Sequence, residues 1–253
     1  MVVFTEKSFT AAVEESFHMY KKYKARSTAK LKPIHWYIST VLDSIWGNDF
    51  AIHCLGNNAK KYPDLDEIRK RYFGYKPQNI RSREKEVPGK YYPKSIDITI
   101  TKCAKPIFCL GIKFITSNYK QNANNYFENM MGETANIQAL GDLPYAHLII
   151  LRHETPYYEK NETEIPKKIE IINDKDIQKY LNLVFDSRQA HRPEYIGVQV
   201  INLDEAKCKV SLTNVEKSFS ESVAKLLKEK LALSNFFKEI KQYKDYYLSK
   251  HNG

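Results

Sequence analysis

Apolar and polar positions alternate with a period of two in two neighbouring runs, Ser95-Ile96-Asp97-Ile98-Thr99-Ile100-Thr101 and Ile107-Phe108-Cys109-Leu110-Gly111-Ile112-Lys113-Phe114-Ile115. That period, with the β-branched content, predicts two strands, and Ala104-Lys105-Pro106 supplies a break that suits a hairpin. Further strands are predicted at Ala146-His147-Leu148-Ile149-Ile150-Leu151 and at Tyr195-Ile196-Gly197-Val198-Gln199-Val200-Ile201. Helical spacing marks Phe9 to Lys24, where Ala12, Val13, Phe17 and Tyr20 recur on one face, and Ile34 to Trp46, closed by Gly47. It also marks a short stretch from Asp66 to Phe73, a helix capped by Ser117 or Asn118 that runs to about Leu140, and Lys175 to Phe185. A final amphipathic pattern from Val215 to Leu248 predicts one long helix, and Tyr75 to Lys94 reads as a long polar loop.

The order strand, strand, helix, strand leaves a crossover long enough for the third strand to return parallel to the second. The expected fold class is therefore α/β, a mixed central β-sheet flanked by helices, with helical elaborations at both ends. No repeat, low-complexity tract or Gly/Ser linker divides the chain, so residues 1–253 are expected to form a single composite domain: 1–94 a helical and loop elaboration, 95–151 a core, and 152–253 an additional strand and helices.

Forty Lys and Arg against thirty Asp and Glu give a formal charge of +10, which favours encounters with polyanions. Eighteen tyrosines and twelve phenylalanines interleave with these cations and offer faces on which bases could stack. No run is long and apolar enough for a membrane helix, and the amino-terminal residues lack a signal-peptide core, so a cytoplasmic protein is expected. The four cysteines are scattered without zinc-ligand spacing and are expected to be reduced. Walker, GxSxG, GxGxxG and HExxH patterns do not occur, which removes nucleotide hydrolysis, serine esterase, dinucleotide and zinc-protease readings.

Asp97 and Lys113 change the picture, because an acid and an amine placed within adjacent apolar strands are costly unless they have a task. In a basic protein, that pair suggests metal-dependent cleavage of a phosphodiester. A strand bearing Asp97, a strand bearing Lys113, a helix and a parallel strand together resemble the PD-(D/E)xK nuclease core of type II restriction endonucleases, over about Ser95 to Leu151.

The resemblance implies that Asp97 is a ligand of Mg2+ and that Lys113 positions or activates the attacking water. It also implies a second acidic ligand two residues before the lysine, where this chain carries Gly111. Some members take that acid from the following helix, which makes Glu133 and Glu128 the candidates for catalysis and for the metal. Helical rise against strand rise brings Glu128 level with Gly111, whereas the facing of the apolar stripe favours Glu133. Ser117, Asn118, Lys120, Gln121 and Asn122, at the start of that helix, have donors for a DNA backbone or a base edge, and Arg81 and Arg83 suit guanines in a major groove. The expected function is a Mg2+-dependent, sequence-specific endonuclease acting on double-stranded DNA as a homodimer. The alternatives are a catalytically inactive DNA-binding protein on a nuclease scaffold and a repair or RNA-directed nuclease of the same superfamily.

Overall fold

A computed structural model describes residues 3–23, 28–54, 67, 79–81, 83–159, 165–187 and 189–251. Two helices open the chain, α1 (Glu6–Tyr23) and α2 (Lys32–Trp46). Pro33 sits in the first turn of α2, where its missing N–H costs nothing, and Gly47 ends the helix at φ +79°. Apolar residues occur all round α2, and it is buried along nearly its whole length. The helix predicted at Asp66 to Phe73 lies outside the described residues, apart from Glu67.

The centre is a seven-stranded mixed sheet, as the strand, helix, strand pattern implied. Its members are β1 (Ala51–Cys54), β2 (Ile80–Arg81), β5 (Ile98–Lys102), β6 (Lys105–Ile115), β7 (Tyr145–Arg152), β10 (Tyr195–Asp204) and β11 (Lys209–Leu212). They lie side by side in the order β11-β10-β7-β6-β5-β1-β2. Two small antiparallel pairs stand outside the sheet: β3 (Lys85–Val87) with β4 (Lys94–Ile96), and β8 (Glu154–Tyr157) with β9 (Lys168–Ile171). Strands β5 and β6 form the expected antiparallel hairpin, and β7 returns parallel to β6. The turn falls one step earlier than predicted, at Cys103 and Ala104, which both have positive φ, 49° and 63°. That matches the tight hairpin geometry whose twist suits the flanking strands. Pro106 is tolerated within β6 because the ladder slips between Ile100 and Thr101, next to its partner.

Three sequence expectations need correction. Ser95 to Thr101 is not one strand: the chain bends at Asp97, so that β4 and β5 belong to different sheets. The loop from Tyr75 to Lys94 holds the short strands β2 and β3. The long carboxyl-terminal helix is broken into α5 (Val215–Ser218), α6 (Glu221–Leu226), a π turn (Leu227–Leu231) and α7 (Leu233–His251). Ala232 takes an extended ψ of 142° between the last two.

The two sheet faces explain that break. Phe219, Val223, Ala224, Leu227 and Leu231 pack with Ile149, Leu151 and Val198 on one face. Leu233, Phe236, Phe237 and Ile240 pack with Leu110, Leu148 and Ile201 on the other. A continuous helix could not cover both faces. The first face also carries α3 (Tyr119–Gln138) and α4 (Asp174–Phe185), and the second carries α1 and α2. No helix among the described residues is long and apolar enough to cross a membrane.

Candidate metal and phosphodiester site

The antiparallel ladder ends at Ile98 opposite Leu110, so Asp97 stands across from Gly111, and Lys113 lies two residues further along β6 on the same face as Gly111. Beyond this point β5 no longer accepts the N–H groups of β6. The Asp97 carboxylate does so instead: Ile112 N–H donates to Asp97 Oδ2 at 2.7 Å. Asp97 therefore lies at the rim of the sheet, where groups from either face can approach it.

Gly111 is explained by its neighbours. A Cβ there would lie 2.9 Å from His147 Nδ1 and 3.1 Å from the Tyr145 hydroxyl. His147 pairs with Gly111 across the β6–β7 ladder and is fully buried, so the space an acidic side chain would need is already filled. The Thr134 hydroxyl donates to the Met130 carbonyl at 2.8 Å, so it accepts from His147 Nε2 at 3.0 Å. The neutral imidazole thus carries its proton on Nε2 and turns a bare Nδ1 towards Gly111, without a hydrogen-bond partner among the described residues. Burial first, and then the Lys113 charge, push its pKa down to about 3.

On that face, α3 brings Glu133 to Lys113, with Glu133 Oε2 3.8 Å from Lys113 Nζ. Lys94 Nζ donates to Glu133 Oε1 at 2.9 Å and the Tyr145 hydroxyl to Oε2 at 3.4 Å. The hydrogen bond from Lys94 to Glu133 is also the main cause of that ammonium's raised pKa. Glu128 is exposed on α3. Of the two helix acids, Glu133 faces the sheet, and two cations and a phenol surround it.

A second group of side chains meets Asp97. Donor atoms of His35, Glu84 and Asp97 all lie within 4.8 Å of one another. His35 comes from the buried helix α2, Glu84 from the connection before β3, and Asp97 from the bend between β4 and β5. His35 is fully buried, and neither ring nitrogen has a hydrogen-bond partner among the described residues. Burial lowers its pKa; the Asp97 charge opposes that and the Lys32 charge adds to it. Burial and then the Asp97 charge raise the Glu84 carboxyl, while Lys32 lowers it.

Neither His35 nor Glu84 was apparent from the sequence. The imidazole sits inside an apolar helical run, Ile34-His35-Trp36-Tyr37-Ile38, and its position on a wholly buried helix was the one available signal. Glu84 is a single acid among Arg81, Arg83 and Lys85 and carries no local pattern.

The polar start of α3 is engaged internally. Asn118 adopts the left-handed region at φ 52° and makes no side-chain cap, which corrects the predicted capping role. Its side chain instead brackets Tyr158, donating to the carbonyl at 3.1 Å and accepting from the N–H at 2.9 Å. Lys120 pairs with Asp176, Gln121 donates to Glu170 at 2.8 Å, and Asn122 donates to the Asn118 carbonyl at 2.9 Å. Ser117 is half-buried just before the helix. Arg81 and Arg83 are exposed, in the short segment that also carries Glu84. No protein-family model, curated protein or solved structure matches the chain.

Proposed function

We propose that the protein is a divalent-metal-dependent nuclease that hydrolyses phosphodiester bonds of double-stranded DNA at specific sequences, on a scaffold like that of type II restriction endonucleases. The observation that carries this reading is a register and an ion pair at one rim of a basic α/β protein: Asp97 stands across the ladder from Gly111, two residues before Lys113 on β6, and the Lys113 ammonium lies 3.8 Å from Glu133 of the following helix.

Asp97 would hold the ion, Mg2+ in the resemblance, and the imidazole and carboxylate within 4.8 Å of it make the donor set fit a divalent cation. When bound, such an ion lowers the pKa of a water and stabilises charge on a phosphoryl oxygen. Lys113 would stabilise charge developing on a scissile phosphate. Glu133 fixes that ammonium and Lys94 in place, which makes it a positioning residue in this reading. Exposed Arg81 and Arg83 would offer cations to a duplex, while Lys120 and Gln121 at the α3 start are held by internal partners. A palindromic duplex is cut most simply by two copies of the chain, so the active form is proposed to be a homodimer.

A second reading, a DNA-binding protein without catalysis, draws on the packing of His147 and Tyr145 into the place of the missing acid. Incubation with mixed plasmid and phage DNA in MgCl2 or MnCl2 separates the two. The nuclease yields discrete fragments, and Asp97→Asn and Lys113→Ala each reduce cleavage by about 100-fold or more. The amide introduced by Asp97→Asn retains an acceptor for Ile112 N–H, so the fold survives that substitution. Parent-level cleavage by either variant refutes the assignment, and binding without fragments supports the second reading.

A further inference from the structure

We propose that His35, Glu84 and Asp97 form a three-ligand site for one first-row transition-metal ion, preferring Mn2+ over Mg2+, and that His35 and Glu84 stand in for the acid absent at Gly111. Binding of the ion stands on geometry alone, whereas its part in cleavage rests on the function proposed above.

Three observations support this site. Ligand atoms about 2.1 Å from a common ion lie roughly 3 to 4 Å apart, so donors within 4.8 Å of one another need only small side-chain rotations to converge. His35 is entirely buried with both nitrogens unpaired among the described residues, a costly arrangement that a metal bond to one nitrogen would relieve. Glu84 and Asp97 bring two carboxylates within 4.8 Å of each other beside it, where like charges repel. A cation between them would remove that repulsion. The Lys32 ammonium also acts on Glu84 and on His35, yet both imidazole nitrogens still lack a hydrogen bond among the described residues, so a lone pair stays open to a metal ion.

The choice of ion follows from the donors. Mg2+ is a hard cation that takes oxygen ligands, whereas imidazole nitrogen suits transition metals, and Mn2+ accepts both donor types. Three protein ligands also leave coordination positions open for water and a phosphate oxygen. At Gly111, by contrast, His147 and Tyr145 occupy the space where a carboxylate would project.

The test is a titration of the metal-free full chain with MnCl2, followed by the loss of the free-Mn2+ electron paramagnetic resonance signal, with MgCl2 as competitor and no DNA present. One Mn2+ per chain is expected, bound at least about 10-fold more tightly than Mg2+. Glu84→Gln, at a half-buried position that tolerates the change, weakens Mn2+ binding by about 10-fold or more. His35→Leu abolishes the preference for Mn2+ and raises the melting temperature of the metal-free protein, because it removes two unpaired nitrogens; a purely structural histidine would give the opposite shift. Equal affinity for the two ions, or parent-like Mn2+ binding by Glu84→Gln, overturns the site. Cleavage in Mg2+ without any Mn2+ preference sinks the metal site and spares the nuclease reading. Tight Mn2+ binding without cleavage does the reverse.

Discussion

Two carboxylates approach the β5–β6 rim from different directions, and their surroundings are opposites. Glu133 is met by Lys94, Lys113 and Tyr145. Asp97 accepts one backbone N–H and lies against a second carboxylate and an imidazole with no hydrogen-bond partner among the described residues, with the Lys32 charge acting on both of those groups. The first anion is already neutralised by the protein, so adding a cation there would have to displace lysines. The second concentrates negative charge and a lone pair in one place, which is the arrangement a metal ion stabilises. The difference teaches that an acid close to the Lys113 ammonium need not be a metal ligand: it can equally be the counter-ion that holds the lysine.

The largest effect is expected from forcing a further carboxylate into this region. Gly111→Asp restores the acidic position implied by the nuclease resemblance, yet its Cβ would stand 2.9 Å from His147 Nδ1 and 3.1 Å from the Tyr145 hydroxyl. His147 lies on a central strand, packed between β6 and α3, and has no room to retreat. The substitution should cost about 3 kcal/mol in urea unfolding through overpacking and a buried charge. It should leave Mn2+ affinity no higher than the parent's. A stable Gly111→Asp protein with tightened metal binding would show that the resemblance's own ligand geometry is available, and would erase the contrast between the two acids.

A smaller effect concerns the two buried histidines. Burial lowers both, His147 to about 3, and both are neutral in the fold at pH 7. An unfolded histidine titrates near 6.5, so below that pH the unfolded chain takes up protons that the fold refuses. The stability due to these groups is complete above about pH 6.5 and is lost progressively as pH falls towards 3. His147→Gln keeps a donor for Thr134 and should flatten part of that slope in melts between about pH 7 and pH 5. An unchanged slope would mean that the acid sensitivity resides elsewhere.

Much of this architecture is readable from the chain because its signals are periodic. Period-two runs located β5 and β6, further apolar runs located β7 and β10, and the crossover length supplied the parallel return of β7. Asp97 and Lys113 stood out because they interrupt apolar strands, and the apolar stripe of α3 distinguished the facing of Glu133 from that of Glu128. What could not be read depends on tertiary placement. The bend at Asp97 leaves no mark in the alternation, since Ile96 and Ile98 are both buried on either side of it, in different sheets. Glu84 and Asp97 are 13 positions apart, and His35 lies far upstream, so their meeting is decided by how α2 packs and not by any local spacing. The α3 start read as a nucleic-acid surface because polar donors look the same whether they face solvent or Asp176 and Glu170. Likewise the stripe from Val215 to Leu248 is continuous in sequence while serving two opposite faces of the sheet.

The smallest effect is the one that separates the two acids most directly. Glu133→Gln keeps the side chain's shape and an acceptor for Tyr145 while removing the charge that holds Lys94 and Lys113. Lys94 is about one-third exposed and can turn to water, so the stability loss should be only about 1 kcal/mol. Lys113, freed from its counter-ion, should be less well placed against a phosphate, and DNA cleavage should fall while Mn2+ affinity stays within about twofold of the parent. Glu84→Gln is expected to show the mirror image, with metal affinity lost and the fold little changed. If Glu133→Gln weakens Mn2+ binding as strongly as Glu84→Gln does, then Glu133 is itself a ligand. Lys94 and Lys113 would then have to leave it when the ion arrives, and a lysine-held carboxylate could no longer be told from a metal-held one by its resting partners.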